Sequence, residues 1–146
     1  MCSSGEFKIH LRTPDAYLPE RGTPHSAGYD LRTPSDVSIA PGTQELIDIG
    51  QSWQIPEGYF GKLFSRSSVA CKGVDCKAGV IDSDYRGPVK ALLYNYSANT
   101  VSFNRGDKVC QVVLLPHLSV PVLEVASAGD LDDSVRGEGG FGHTGR

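Results

Sequence analysis

Residues 47–58 read Ile-Asp-Ile-Gly-Gln-Ser-Trp-Gln-Ile-Pro-Glu-Gly. Ile47, Ile49, Trp53 and Ile55 share one parity, and a period of two is the pattern of a strand with one face in a core. Pro56-Glu57-Gly58 then ends the run with residues suited to turn dihedrals. The same grammar extends outward. Phe7, Ile9 and Leu11 alternate with polar neighbours, as do Val37 and Ile39, and Pro41-Gly42 and Arg105-Gly106-Asp107 mark further turns. Val109, Val112, Val113, Leu114 and Leu115 form an apolar run with the character of a strand buried on both faces, and Val89 through Tyr96 is a second apolar run just upstream. Only Ser67 to Lys72 has room for a single short helix. Short β runs separated by turn residues predict an all-β sandwich or barrel.

The composition fits one such domain. The chain has 146 residues, near the ~150 of a single domain. Its 17 glycines and 9 prolines exceed average usage but stay below the ~25–30% that marks low-complexity chains. With 14 Lys and Arg against 17 Asp and Glu, the net charge is -3, which excludes the basic footprint of bulk nucleic-acid binding. A hydrophobic fraction of 39% supplies a core, and no apolar run reaches the ~18–20 residues of a membrane span. Met1-Cys2-Ser3-Ser4-Gly5-Glu6 has neither the charged nor the apolar region of a secretory signal. The expectation is a protein of the cytoplasm and/or nucleus, not secreted, with Cys2, Cys71, Cys76 and Cys110 as free thiols. His10, His25, His117 and His143 are scattered, and no second C-x-x-C accompanies Cys71 and Cys76, so a structural zinc site is not expected.

Two-sided apolar runs in so small a chain leave surface for another copy. A homo-oligomer is expected, the alternative being a monomer with a fully two-sided core. Residues 128–146 differ from the body at 1–127: they hold six of the 17 glycines, begin with Asp130, Asp132 and Asp133, and contain too little apolar surface to pack alone. They are expected to form a flexible arm.

Four stretches admit chemistry beside a purely structural role. Gly79-Val80-Ile81-Asp82-Ser83-Asp84-Tyr85-Arg86-Gly87 suits a hairpin whose aspartates bond locally, or a carboxylate for water activation or a metal beside a tyrosine wall. Ser65-Arg66-Ser67-Ser68 suits a helix cap, or hydroxyls and a guanidinium fork for phosphate oxygens. In the tail, glycines can converge backbone N–H groups on an anion, with Arg136 and Arg146 adding charge and Phe141 a stacking face; a disordered end is the alternative. It is not a P-loop, since G-x-x-x-x-G-K-[ST] is absent from the sequence. Asp30, in Ala27-Gly28-Tyr29-Asp30-Leu31, suits turn capping or support of a hard divalent cation. Arg105-Gly106-Asp107 is a hairpin turn rather than an adhesion signal, and Asn95-Tyr96-Ser97 is a glycosylation sequon only in a secreted protein.

In order and spacing these stretches resemble the five motifs of the homotrimeric dUTP pyrophosphatase (dUTPase) family, from Ala27 to the last residue. The first is similar to Ala27–Leu31, the second to Arg66-Ser67-Ser68-Val69-Ala70 and the third to Ala78–Gly87. The fourth matches Gly106-Asp107-Lys108-Val109-Cys110-Gln111, and the fifth Arg136–Gly145. The resemblance implies a distorted jelly-roll β-barrel of the β-clip type, and a homotrimer with active sites shared between subunits. It implies a dUTP diphosphatase that releases dUMP and pyrophosphate, limiting uracil in DNA and supplying dUMP for thymidylate synthesis. Asp82 would be the general base that activates water toward the α-phosphorus. Mg2+ would bridge the phosphates, with Asp30 holding it through water. Arg66, Ser67, Ser68 and Gln111 would contact phosphate oxygens, and Arg136 with Thr144 would clamp the terminal one. Tyr85 would pack on the deoxyribose and exclude a 2′-hydroxyl. The segment Ala78–Tyr85, including Gly79, Val80 and Ile81, would read uracil through its backbone, and a wall at C5 would exclude thymine's methyl. Phe141, followed by Gly142, would stack on the base as the arm closes.

Two positions depart from the family pattern. His143 stands where serine is common, and Cys76-Lys77 replaces small or apolar residues before the third motif, the lysine either adding charge near the nucleotide or facing solvent. The competing readings are a dCTP deaminase of the same fold, for which the third motif lacks an extra glutamate, and a silent relative acting as a binding or regulatory protein. Asp82 and the tail arginine are both present.

Overall fold

The alternating stretch at residues 47–55 folds as two strands because Gly50 breaks it. Its φ of +75° is a left-handed conformation that glycine adopts without steric cost, and the Asp48 carboxylate accepts the Gly50 N–H at 2.8 Å. The inward parity survives the break: Ile47, Ile49, Gln51, Trp53 and Ile55 are each no more than 4% exposed.

The computed structural model describes residues 5–142. Within them the strands are β1 (Lys8–Leu11), β2 (Gly28–Arg32), β3 (Val37–Ile39), β4 (Gln44–Asp48), β5 (Gln51–Gln54) and β6 (Tyr59–Phe64). One short helix, α1 (Ser67–Ala70), follows, and then β7 (Val74–Lys77), β8 (Val80–Ile81), β9 (Lys90–Asn95), β10 (Val101–Phe103) and β11 (Lys108–Pro116). A turn of 3-10 helix lies at Ala128–Asp130. The helix falls where the sequence placed it. No helix among the described residues is long and apolar enough to cross a membrane.

Every strand pairing is antiparallel. The largest sheet runs β2-β11-β6-β8; the others are β4-β9-β7, β1-β5 and β10-β3. This is the all-β architecture that the alternation predicts, and the β-clip jelly roll that the resemblance implies. Leu31, Ile39, Trp53, Leu63, Val89 and Leu93 meet in the single core, each apolar side chain contributing roughly 1.5–3 kcal/mol on full burial. Phe7 closes one end of it, edge-on to Trp53 at 5.1 Å and to Tyr29 at 5.7 Å between ring centroids.

The two apolar runs differ from the two-sided burial expected of them. Along β9, Ala91, Leu93 and Asn95 are buried while Leu92 and Tyr94 are only half-buried, and Tyr96 beyond it is exposed. In β11, a bulge between Lys108 and Cys110 turns the adjacent Val109 and Cys110 both into the core. Those two residues are consecutive and apolar because the ladder slips there, and Leu114 and Leu115 beyond are half-buried.

Two buried amides hold the core's polar seams. Asn95 is fully buried; its Nδ2 donates to the Ile39 and Asn99 carbonyls at 2.8 and 2.7 Å, and its Oδ1 accepts from the Ser97 N–H and Oγ. With every bonding position used, it is no glycan acceptor in the folded chain. Arg105-Gly106-Asp107 is a turn, with Gly106 at φ +91°. Cys76 and Cys110 are buried free thiols and Cys71 an exposed one. A hydrogen bond from the Cys110 thiol holds Cys76 below the usual thiol range, and donating it, together with burial, pushes Cys110 up.

Gln51 is the second seam: its Nε2 donates to the Tyr17 carbonyl and its Oε1 accepts the Trp53 indole N–H at 2.8 Å. Gln51→Ala leaves both partners unpaired, and urea unfolding is expected to show a loss of about 2–4 kcal/mol.

Candidate active site

Four polar side chains gather on one face of the β2-β11 pair because of the bulge. Gln111 lies opposite Asp30, and Lys108 opposite Arg32; directly opposed residues share a face. In an unbroken ladder Lys108 would fall on the core face. The slip moves it beside Asp30, the re-aiming that bulges next to functional sites provide.

Arg66 reaches the same face from the corner between β6 and α1. Its Nε donates to Asp30 Oδ1 at 2.9 Å, Lys108 Nζ lies 3.4 Å from Asp30 Oδ2, and the Asp30 side chain is 14% exposed. Asp30 is thus first a counter-ion, one oxygen to each cation, and it fixes the plane of the Arg66 guanidinium. The Arg66 Nη1 donates to Ser68 Oγ at 3.3 Å. Ser67 and Ser68 are exposed on α1, and the helix has no side-chain cap, so neither serine is spent on capping.

Ser65 ties this corner to the strands around it. Its Oγ donates to Asp75 Oδ1 and accepts the Cys76 N–H, both at 2.8 Å, and its carbonyl accepts Gln111 Nε2 at 3.0 Å. Gln111 Oε1 lies over Gly28: a Cβ built there would fall 2.0 Å from that oxygen and 2.9 Å from Cδ. A side chain at position 28 would therefore have to push the Gln111 amide aside, and it is this close approach rather than the backbone angles that favours glycine there.

The third stretch is built separately. The two-residue strand β8 pairs with Gly61 and Lys62 of β6, and the Gly79 carbonyl accepts the Leu63 N–H at 3.2 Å. Val80 is exposed and Ile81 buried. The chain then turns, with the Tyr85 N–H on the Asp82 carbonyl at 3.1 Å. The Tyr85 hydroxyl donates to the Pro88 carbonyl at 2.9 Å, which sets the ring as one wall of a cavity of about 250 Å³ shared with Val80 and Asp82. Asp82 is exposed and also lines a wider cavity of about 660 Å³. Arg86 clamps this turn from outside, its Nη1 donating to the Ser83 and Trp53 carbonyls at 2.7 and 3.2 Å.

The structure thus joins Asp30, Arg66, Ser68 and Gln111, and separately joins Asp82, Tyr85 and the 79–81 segment. Arg66 and Ser68 line a cavity of about 350 Å³, and no described residue lines both it and the Tyr85 cavity. Arg136, Phe141 and Gly142 are exposed and line neither; Thr144 and His143 lie outside the described residues. Lys77 places its ammonium 4.8 Å above the Tyr94 ring. Sequence reasoning gave no role of their own to Arg86 or Lys108, and it counted Ser65 among the hydroxyls of the second stretch, whereas the structure spends Ser65 on Asp75, Cys76 and Gln111. The signal for Lys108 was present in Val109-Cys110, two apolar neighbours where alternation demands one.

A single carboxylate can serve magnesium where the ion keeps its waters and takes its remaining ligands from phosphates. Among the described residues no three His, Cys, Asp or Glu side chains group as a direct metal cage. Asp30 has two oxygens with ~four lone-pair sites, of which Arg66 and Lys108 take two, leaving acceptors for metal-bound water. The donor set fits water-mediated holding and no closer ligation.

The dUTPase family model matches residues 15–145. The chain is 45% identical over 140 residues to a deoxyuridine 5'-triphosphate nucleotidohydrolase of Avian adenovirus 8, covering 95% of this chain and 83% of the relative. Against the enzyme of the same name in Yarrowia lipolytica the figures are 41%, 95% and 88%. Among solved structures, the Staphylococcus bacteriophage 80alpha dUTPase with dUPNHPP superposes with a TM-score of 0.89 at 26% identity, over 98% of this chain and all of that one. A variant dUTPase from phage phi11 of S. aureus, described for its coordination of a structural Mg(II) ion, gives 0.79 at 26% identity, over 84% and 98%.

Gly28→Ala forces the Gln111 amide off the Ser65 carbonyl. Overpacking of this kind is expected to cost about 1–3 kcal/mol, read by denaturant unfolding, with a shifted Gln111 side-chain amide resonance; an unchanged resonance would contradict the close approach.

Proposed function

The chain belongs to the dUTPase family and is an enzyme, and from that premise we propose that it hydrolyses dUTP to dUMP and pyrophosphate with each residue in the role set out here. Asp82 takes a proton from a water molecule, the water oxygen bonds to the α-phosphorus, and the bond from that phosphorus to the bridging oxygen breaks, so that pyrophosphate leaves. Exposure of the Asp82 carboxylate beside the Tyr85 cavity supports this role: a base must reach both water and substrate. The Tyr85 ring, tethered through its hydroxyl to Pro88, stands against the deoxyribose where a 2′-hydroxyl would need space. The 79–81 backbone reads the uracil edge.

Arg66 presents its free guanidinium donors to phosphate oxygens in the plane Asp30 imposes, joined by Ser67, Ser68 and Gln111. Mg2+, when bound, supplies charge neutralisation across the phosphates; Asp30 would hold it through water. Arg136, Phe141, Gly142 and Thr144, on an arm formed by residues 128–146, close over the nucleotide.

The observation that carries this reading is the division of the motifs into two cavities. Two copies of the chain facing each other would bring a water activated at Asp82 and phosphates held at Arg66 into one reaction. The segment after β11 supports such an assembly, since Leu118, Val120 and Val122 are 83, 64 and 100% exposed, an alternating apolar edge uncovered by its own chain. We propose a homotrimer with each site built from neighbouring subunits.

Incubation with Mg2+ and either dUTP or dCTP tests the activity: pyrophosphate from dUTP is expected, and ammonia from dCTP would point to a deaminase instead. Asp82→Asn is expected to lower kcat by at least about 100-fold while nucleotide binding persists; retained turnover would show that the base lies elsewhere.

A further inference from the structure

Two buried thiols stand outside every role set out above. Cys76 on β7 is 8% exposed and Cys110 on β11 is fully buried, and the two strands belong to different sheets. Stacked sheets lie about 10 Å apart, whereas the Cα atoms of a disulfide stand about 4.4–6.8 Å apart. A bridge therefore needs a place where the sheets converge, and Ser65 marks one. Its Oγ accepts the Cys76 N–H at 2.8 Å. Gln111 pairs with Phe64, so the next step of that ladder sets Ser65 against Cys110. The bulge completes the arrangement by turning Cys110 into the core, where its thiol donates to the Cys76 sulfur. Cys76 is one of the two residues that depart from the family pattern before the third motif, so the pair belongs to this chain rather than to that pattern.

We propose that Cys76 and Cys110 form a reversible modification site, closed to a disulfide by hydrogen peroxide and reopened by a dithiol, and that closure weakens nucleotide binding. Cys76, the more exposed sulfur, attacks the peroxide: an S–O bond forms, the O–O bond breaks, and the leaving hydroxide carries off the Cys76 proton as water. The Cys110 sulfur then displaces the hydroxyl from Cys76: the S–S bond forms, the S–O bond breaks, and the Cys110 proton leaves with the hydroxyl as a second water. Two thiols have lost two electrons, and the peroxide has gained them. A dithiol reverses the step by exchange, its own sulfurs ending as the disulfide. A covalent bond between the sulfurs is shorter than the hydrogen bond it replaces, so closure draws β7 and β11 together at Ser65. The Ser65 carbonyl holds Gln111 Nε2 at 3.0 Å, and Gln111 is the residue after Cys110, so the movement displaces that amide. The consequence for binding rests on the activity proposed above; formation of the bond does not.

The test uses the full chain with Cys2→Ser and Cys71→Ser, which leaves Cys76 and Cys110 as its thiols. Hydrogen peroxide is expected to remove both thiols together. Peptide mapping without reduction should then join the segments holding Cys76 and Cys110 with the loss of two hydrogens, and dithiothreitol should restore both thiols. Thiols that survive the peroxide, or a Cys76 carried to sulfinic acid beside an intact Cys110, would overturn the proposal. On closure the Gln111 side-chain amide resonance should shift, returning on reduction, and the KM for dUTP should rise about tenfold, the worth of one charge-assisted hydrogen bond. An unmoved resonance or an unchanged KM in the linked protein would overturn the effect on binding. Cys110→Ala leaves Cys76 without a partner, so inhibition that a dithiol reverses should disappear; Cys76→Ser gives the same reading if that variant does not fold. Each is compared with its own untreated form, and reversible inhibition persisting in either contradicts the assignment. Reduced protein inactive on dUTP would count against the activity alone, because the thiol count, the peptide map and the resonance need no turnover.

Discussion

The slipped register between β2 and β11 is the constraint on which the rest of this molecule depends. One extra residue in β11 sends Val109 and Cys110 together into the core and brings Lys108 round to the face of Asp30 and Gln111. Without it, the lysine would be buried among apolar side chains and Asp30 would have one cation in place of two. The cost of a broken ladder is a lost backbone pairing; the return is a carboxylate at 14% exposure with one oxygen on each of two cations, which orients Arg66 by direct contact.

From that register follows a division of labour. One face of the main sheet carries positive charge and amide donors; the far edge, at β8, carries an exposed carboxylate and an aromatic wall. Rigid strands position both, and short turns pinned by Arg86 and Ser65 do the fine adjustment. The chain's overall charge of -3 is no obstacle to a highly anionic substrate, because local fields decide binding at contact distance, and beyond roughly 10 Å salt screens the rest.

Much of this was legible in the residues. Period-two alternation at Ile47–Ile55 gave the strands, and Pro41-Gly42 and Arg105-Gly106-Asp107 the turns. Asp30 and Arg66 were each marked, for a cation and for phosphate oxygens, and Gln111 entered through the family resemblance; the fold brings the three together. What stayed hidden depended on register and tertiary contact. Gln51 is buried at a position whose parity announced it but whose polarity argued against it, since of its two partners only the Trp53 indole lies in its own stretch, and the Tyr17 carbonyl is 34 residues away in sequence. The bulge looked like a strand buried on both faces, because a run of apolar residues does not say which face each takes. Arg86 carried no assignment from the sequence, and only the folded turn shows three backbone carbonyls around it, those of Ser83, Trp53 and, at 3.4 Å, Tyr85.

The central claim is that neither cavity is an active site alone and that a second copy of the chain completes each one. Mixing two disabled proteins tests it directly: Asp82→Asn and Arg66→Ala are prepared separately, unfolded together, refolded and assayed for pyrophosphate release from dUTP. If sites are shared, some mixed assemblies pair an intact Asp82 from one chain with an intact Arg66 from another, and activity returns well above that of either parent. If each chain holds a whole site, every site in the mixture keeps one lesion, and activity stays at the parental level, which would contradict the account.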